Sequence, residues 1–188
     1  MLKSILITGA NAGLGKETAR QMAQQPGVEK IYLGCRNLEK AQVAKQELER
    51  MTGKPIFEIL KIDVADLDSV RGAVQSLKEP VDALIMNAGG TGGKRFYENT
   101  KNGVSQIFAV NLLGHVALTH ALLEAKKLTK TALYAGSEAA RGVAEMGMKR
   151  PRLKESSVAE FTSICNGKFF GNTKDATVPY GPIKYMAA

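Results

Sequence analysis

Ile7-Thr8-Gly9-Ala10-Asn11-Ala12-Gly13-Leu14-Gly15 is the stretch on which the fold turns. It follows an apolar run over residues 4–8 and leads into a segment of helical period. Glycines at a strand-to-helix junction let the backbone come close to a pyrophosphate, and the helix start supplies unpaired amides and partial positive charge. The spacing is Gly-x-x-x-Gly-x-Gly, not the commoner Gly-x-Gly-x-x-Gly, and such turns also serve as plain tight connections. Its meaning therefore depends on its surroundings.

Outward from the turn, short β-rich runs alternate with segments of helical period. Strands are expected at 4–8, 30–34, 55–62, 82–86 and 131–135. Leu38, Ala41, Ala44, Leu48 and Met51 recur at helical spacing, with Asn37 as N-cap and Gly53 then Pro55 as stop signals. Leu67, Val70, Val74 and Leu77 form a second stripe after Asp66, and a third helix is expected over 100–127. Five strands joined by crossover helices predict an α/β fold, a doubly wound parallel sheet of Rossmann type. We expect a single domain over 1–188. Residues 141–179 break the alternation. They contain Ser157-Val158-Ala159-Glu160, a capping-box pattern, and close near Asn166-Gly167, so they predict a loop with one short helix, a candidate inserted lid.

The 188 residues, 44% hydrophobic and 23% charged, fit a globular chain and exclude disordered, collagen-like and disulfide-scaffold classes. The two cysteines, Cys35 and Cys165, read as reduced thiols, which predicts a cytoplasmic protein. No apolar run approaches the ~18 residues that argue for a membrane span. The net charge of +8 is dispersed, apart from Lys126-Lys127 with Lys130 and Lys149-Arg150 with Arg152 and Lys154. Neither cluster is interleaved with aromatics, so it reads as solvated surface, with no nucleic-acid partner expected. His115 and His120 lack a third ligand at metal spacing, so no metal is expected and both read as packing or surface residues. Cys165 reads as a small apolar filler. Met146 and Met148 either line an apolar entrance or simply pack.

The end of the second strand bears on the cofactor. An acid there would bond the ribose 2′-hydroxyl of NAD, whereas an arginine accommodates the 2′-phosphate of NADP. Gly34-Cys35-Arg36-Asn37 carries the arginine, so Arg36 favours NADP(H) over its plainer reading as an exposed residue at a helix start.

Taken in order, these motifs resemble the short-chain dehydrogenase/reductase family along nearly the whole chain. Thr8-Gly9-x-x-x-Gly13-x-Gly15 resembles its coenzyme turn, with Asn11 and Leu14 inside it; Asp63-Val64 resembles its adenine-contacting pair; Asn87-Ala88-Gly89 resembles its element beside the cofactor. Asn111 matches the family's active-site asparagine, Ser137 its catalytic serine, and Tyr180-Gly181-Pro182-Ile183-Lys184 its Tyr-x-x-x-Lys. Tyr97-Glu98-Asn99-Thr100-Lys101 has the same pattern but violates the family order, so it reads as surface. Pro179 and Pro182 fit a helix start, where the first four amides have no intrahelical partner. The Gly34-Cys35-Arg36-Asn37, Asp63-Val64-Ala65-Asp66 and Asn111-Leu112-Leu113-Gly114-His115 segments, with the long connection from Ser137 to Tyr180, are similar to the branch holding retinol dehydrogenases and protochlorophyllide reductases.

The resemblance implies hydride transfer between a nicotinamide and a carbonyl, alcohol or activated alkene, on a small and apolar substrate. Tyr180 would be the general acid or base. A phenol is too weak an acid for efficient base work at neutral pH, and Lys184 would correct this as an adjacent cation while holding the nicotinamide ribose. Ser137 would bond the reacting oxygen, and Asn111 would hold a water relaying protons to Lys184. The alternative is a dinucleotide-binding module, or inactive fragment, without turnover. Only Tyr185-Met186-Ala187-Ala188 follows Lys184, with no stop signal, so the helix is expected to be cut in progress and the fifth strand to lack a covering neighbour. A homo-oligomer is expected only for a complete form.

Overall fold

The computed structural model describes residues 1–91, 93–147 and 149–188; Met148 and the side chain of Met146 lie outside the described residues. Its contacts divide into two units, residues 1–88 with 115–135, and residues 89–114 with 136–188.

The first unit holds the parallel sheet. Its strands are β1 (Ser4–Thr8), β2 (Lys30–Cys35), β3 (Phe57–Lys61), β4 (Val81–Met86) and β5 (Leu128–Tyr134), in the order β3-β2-β1-β4-β5. β1 is central: Ser4 to Thr8 pair in step with Lys30 to Gly34 on one side, and Ile5, Leu6 and Ile7 pair with Ala83, Leu84 and Ile85 on the other. The four residues after Ser4 in β1 and the five after Lys30 in β2 are all buried, as expected for strands covered on both faces. β3 and β5 lie at the edges and show partial exposure, with Leu133 more than half exposed.

Flanking helices complete the unit. α1 is Gly13–Ala23, α2 is Leu38–Thr52 and α3 is Leu67–Ser76. α2 starts and stops as the sequence predicts: Asn37 accepts a bond from the Lys40 amide, and Gly53 ends the helix at φ 68°, a left-handed position suited to glycine. Asp66 likewise caps α3. At the N-terminal end of the sheet, the Asp82 carboxylate accepts from the Lys3 amide at 2.6 Å, the Thr129 hydroxyl at 2.7 Å and the Lys130 ammonium at 3.0 Å. These three donors, the amide foremost, hold the Asp82 pKa far below the usual carboxylate range.

The third expected helix begins later and is not regular. It runs Gln106–Glu124, with a π-helical stretch at Ala109–Leu113. Residues 100–104 instead make a turn closed by the Thr100 amide on the Val104 carbonyl. At 19 residues and mean hydropathy 1.4, this helix is long and apolar enough to cross a membrane by length and composition, contrary to the expectation from uninterrupted apolar runs. Asn111, His115 and Thr119 interrupt the run without offsetting its leucines and alanines. Its Ile107, Phe108, Leu118 and Leu122 are buried, whereas Val116 and Leu123 are more than half exposed.

The second unit packs Phe96, Ile107, Phe108, Ile164 and Ile183 together. The expected short helix of the insert is Val158–Cys165, capped by Ser157, whose hydroxyl accepts from the Glu160 amide at 3.1 Å. The reciprocal half of the capping box is replaced. Glu160 receives the amides of Lys154, Glu155 and Ser156 at 2.6, 3.0 and 2.8 Å, and Ser156 is thereby held at φ 51°. Those donors, Lys154 first, hold the Glu160 carboxyl below its ordinary range. A depressed carboxylate stabilises above the ordinary range and loses that contribution as pH falls through its folded pKa. Glu160→Gln, with one uncharged acceptor oxygen, should therefore lower hydrogen-exchange protection of the Lys154, Glu155 and Ser156 amides by about tenfold. Acidification of the unmodified chain below the carboxylate range should do the same, and unchanged protection would dismiss the role.

Candidate functional site

In the first unit, the order β3-β2-β1-β4 reverses direction at β1 and β4, the switch point at which open parallel sheets place ligands beyond the strand ends. The glycine turn leaves β1 at that point. Gly9 and Gly13 have φ of 68° and 54°, values glycine adopts without a side-chain penalty. Gly15 serves closeness: a Cβ there would stand 2.5 Å from the Gly9 carbonyl oxygen and would overlap the Asn87 amide. α1 begins at Gly13 and its N-cap, Ala12, offers no side-chain acceptor, so the first amides of the helix face outward uncapped. Asn11 is half-buried and Leu14 is exposed.

Thr8, wholly buried, ties the turn to the end of β4. Its hydroxyl accepts from the Asn87 and Ala88 amides, each at 3.0 Å, while the Asn87 side chain donates to the Thr8 carbonyl at 2.9 Å. Arg36 is exposed and makes no hydrogen bond or ion pair among the described residues. Cys35 lies buried at the end of β2, and burial pushes its thiol up to about 11, which makes it unreactive. Val64 is buried; Asp63 uses one carboxylate oxygen to accept the Ala65 amide at 3.0 Å.

The second unit holds the residues expected to be catalytic. Tyr180 and Lys184 lie one turn apart on the helix Thr177–Ala187, with the Lys184 ammonium 5.8 Å from the centre of the Tyr180 ring. Lys184 is 4% exposed, unusual for a lysine, and burial lowers its pKa below the ordinary lysine value. Gly89 brings it together with Asn111: a Cβ built at Gly89 would lie 2.8 Å from Asn111 Oδ1 and 3.7 Å from Lys184 Nζ. Asn111 is fully buried in the π-helical stretch, a deformation frequent at functional sites. Its side chain donates to the Gly90 and Ile107 carbonyls at 2.7 and 2.8 Å and accepts the Gly90 amide at 3.0 Å. One N–H group thus braces the loop after β4, and the other bonds back to its own helix.

Ser137 is half-buried and caps a 3₁₀ turn, Glu138–Ala140, its hydroxyl accepting from the Ala139 amide at 3.2 Å. The turn packs on the Tyr180 helix through Gly181, where a Cβ would stand 3.1 Å from the Ala139 carbonyl oxygen. Sequence reasoning missed this role of Gly181. The signal was a glycine inside a helical segment, often a mark of close approach. Pro182 also differs from expectation, since it lies inside the helix beyond the first four amides and removes a bond there. The decoy Tyr97 is mostly exposed on irregular backbone, packed edge-on against Phe96.

Comparison with known proteins places this arrangement. The chain is 38% identical to retinol dehydrogenase 11 of Mus musculus over 128 residues, 66% of this chain but 39% of that protein. It is 36% identical to the short chain dehydrogenase rstn4 of Aspergillus nomiae over 146 residues, 74% of this chain and 38% of that one. The chain thus matches well under half the length of these curated relatives. Among solved structures, the fold resembles an alcohol dehydrogenase from Thermococcus sibiricus complexed with 5-hydroxy-NADP, at TM-score 0.66 and 24% identity over 98% of this chain and 66% of that one. It also resembles a Sphingobium yanoikuyae short-chain dehydrogenase in complex with NADPH, at TM-score 0.63 and 21% identity, covering 99% and 61%. The short chain dehydrogenase family model matches residues 3–133, and the chain belongs to that family.

Proposed function

We propose that this chain carries the machinery of an NADP-dependent oxidoreductase acting on an apolar carbonyl, alcohol or activated alkene. The observation that carries the reading is the buried Lys184, one helical turn from Tyr180 and converging with Asn111 on Gly89. Desolvating a lysine is costly, and a purely structural role would favour an uncharged side chain there.

The residues present suit the dinucleotide. Gly9 and Gly15 allow main chain to approach where a Cβ would collide, the space beside Gly13 is open, the start of α1 is uncapped, and Arg36 makes no hydrogen bond or ion pair among the described residues. Turn amides would hold the pyrophosphate and Arg36 the 2′-phosphate. The nicotinamide, when bound, supplies or accepts the hydride. Tyr180 then gives its phenolic proton to the carbonyl oxygen in reduction, or takes the hydroxyl proton in oxidation, and Ser137 steadies the charge developing on that oxygen. Lys184 favours the phenolate and replaces the proton. Because the Asn111 N–H groups brace Gly90 and Ile107, a relay water would rest on its remaining carbonyl capacity or on main chain of the π-helical stretch. Residues 141–179 would act as the lid over an apolar substrate, in line with relatives named for retinol. The two free thiols support a reducing compartment such as the cytoplasm.

NADPH and NADH titrations test the nucleotide half. NADPH should bind more tightly, and Arg36→Asp should raise the NADPH dissociation constant about 10- to 100-fold with NADH little affected. Unchanged NADPH affinity would remove Arg36 from the site.

A further inference from the structure

We infer that His115 is a positioning residue for the nucleotide turn, acting through the Thr8 hydroxyl as a neutral imidazole with its proton on Nδ1. The link to the cofactor rests on the dinucleotide reading above; the tautomer follows from the hydrogen bonds of the Thr8 hydroxyl.

Thr8 Oγ1 has one proton to give and two lone pairs. Both lone pairs are taken by the Asn87 and Ala88 amides at 3.0 Å each. Its proton has two possible acceptors, His115 Nε2 at 3.1 Å and the Ile85 carbonyl at the longer distance of 3.5 Å. A proton on His115 Nε2 would point at an oxygen whose lone pairs are already used, so Nε2 must accept. A neutral ring whose Nε2 accepts carries its hydrogen on Nδ1.

The consequence reaches the turn. With its proton directed to His115, the Thr8 hydroxyl aims both lone pairs at the two amides that follow β4. Those amides set where Asn87 and Ala88 lie, and a Cβ at Gly9 would meet Ala88 Cα at 3.0 Å and Asn87 Nδ2 at 3.1 Å. The turn and the end of β4 are therefore so close that a small rotation of Thr8 displaces both. His115 is itself fixed, 1% exposed and with the Tyr134 ring edge-on at 6.0 Å. Its hydrogen bond to Thr8 joins it to the first residue of the turn, so an effect on nucleotide affinity that runs through this bond should vanish when the hydroxyl does.

Two measurements on the full chain decide the matter. Long-range ¹H–¹⁵N correlation spectra of the His115 ring, without nucleotide, should show Nδ1 protonated and Nε2 bare; a ring protonated on Nε2 overturns the inference. A double-mutant cycle then reads the link by NADPH titration, with circular dichroism confirming that each variant is folded. His115→Leu should weaken binding about tenfold in the native background and less than about twofold in Thr8→Val. An equal loss in both backgrounds would mean that His115 only packs, and overturns the coupling. If the unmodified chain binds no NADPH, the dinucleotide reading fails and the link to the cofactor with it, while the spectrum still decides the tautomer.

Discussion

Tyr180→Phe should lower NADPH-dependent turnover of an apolar carbonyl about 10²- to 10⁴-fold while the NADPH dissociation constant stays within about twofold, the range that loss of a positioned general acid produces. The ring and its packing survive the change, so Lys184 keeps the aromatic face that its ammonium approaches at 5.8 Å. What is removed, under the proposed mechanism, is the proton that would reach the substrate oxygen as the hydride arrives. Stopped-flow consumption of NADPH and equilibrium titration separate the two effects. Turnover retained in the variant would take Tyr180 out of the chemistry; nucleotide binding lost with it would make the residue structural.

Gly15→Ala should weaken NADPH binding by at least about 100-fold, the largest expected effect on the nucleotide half. A methyl there faces the Gly9 carbonyl oxygen at 2.5 Å, and main chain cannot rotate aside as a side chain can. Relief requires α1 to move away from the turn, and its uncapped amides would no longer converge on a pyrophosphate. Gly13→Ala is the control. The space beside Gly13 is open, so the cost there is the left-handed φ of 54° alone, about 1–2 kcal/mol. Titration of both variants, with thermal unfolding to follow stability, should rank Gly15→Ala well below Gly13→Ala in affinity. Equal losses would mean that conformation, not close approach, explains the third glycine.

The sheet was legible because its signals are local. Apolar runs of strand length, glycine at the ends and side-chain caps at Asn37 and Asp66 depend on neighbours in the chain, and β1 occupies the residues the sequence predicts. The candidate site was legible as a set of positions, since Gly13, Asn111, Ser137, Tyr180 and Lys184 stand in family order. How the side chains are used was not. The π-helical stretch leaves no pattern in the sequence, because one extra residue in a turn keeps the apolar stripe nearly intact. The Asn111 bonds to Gly90, the Glu160 bonds to the amides before it and the contact of Gly181 with Ala139 each depend on where the chain returns in space. His115 was read as packing on the absence of metal spacing, which left its bond to Thr8 out of sight.

The carboxylate of Asp82 has a consequence for how the sheet loosens. It fastens Lys3, Thr129 and Lys130 at one end, so the edge strand β5 is anchored where it begins. At its other end Leu133 is more than half exposed, and among the described residues no further strand pairs beyond β5. Its far end is held by pairing of Tyr134 with Met86, and the chain from there leads directly to Ser137. Under the proposed function, fraying at this edge would misplace Ser137 before the sheet unfolds, so turnover should be lost at a lower temperature than cooperative melting.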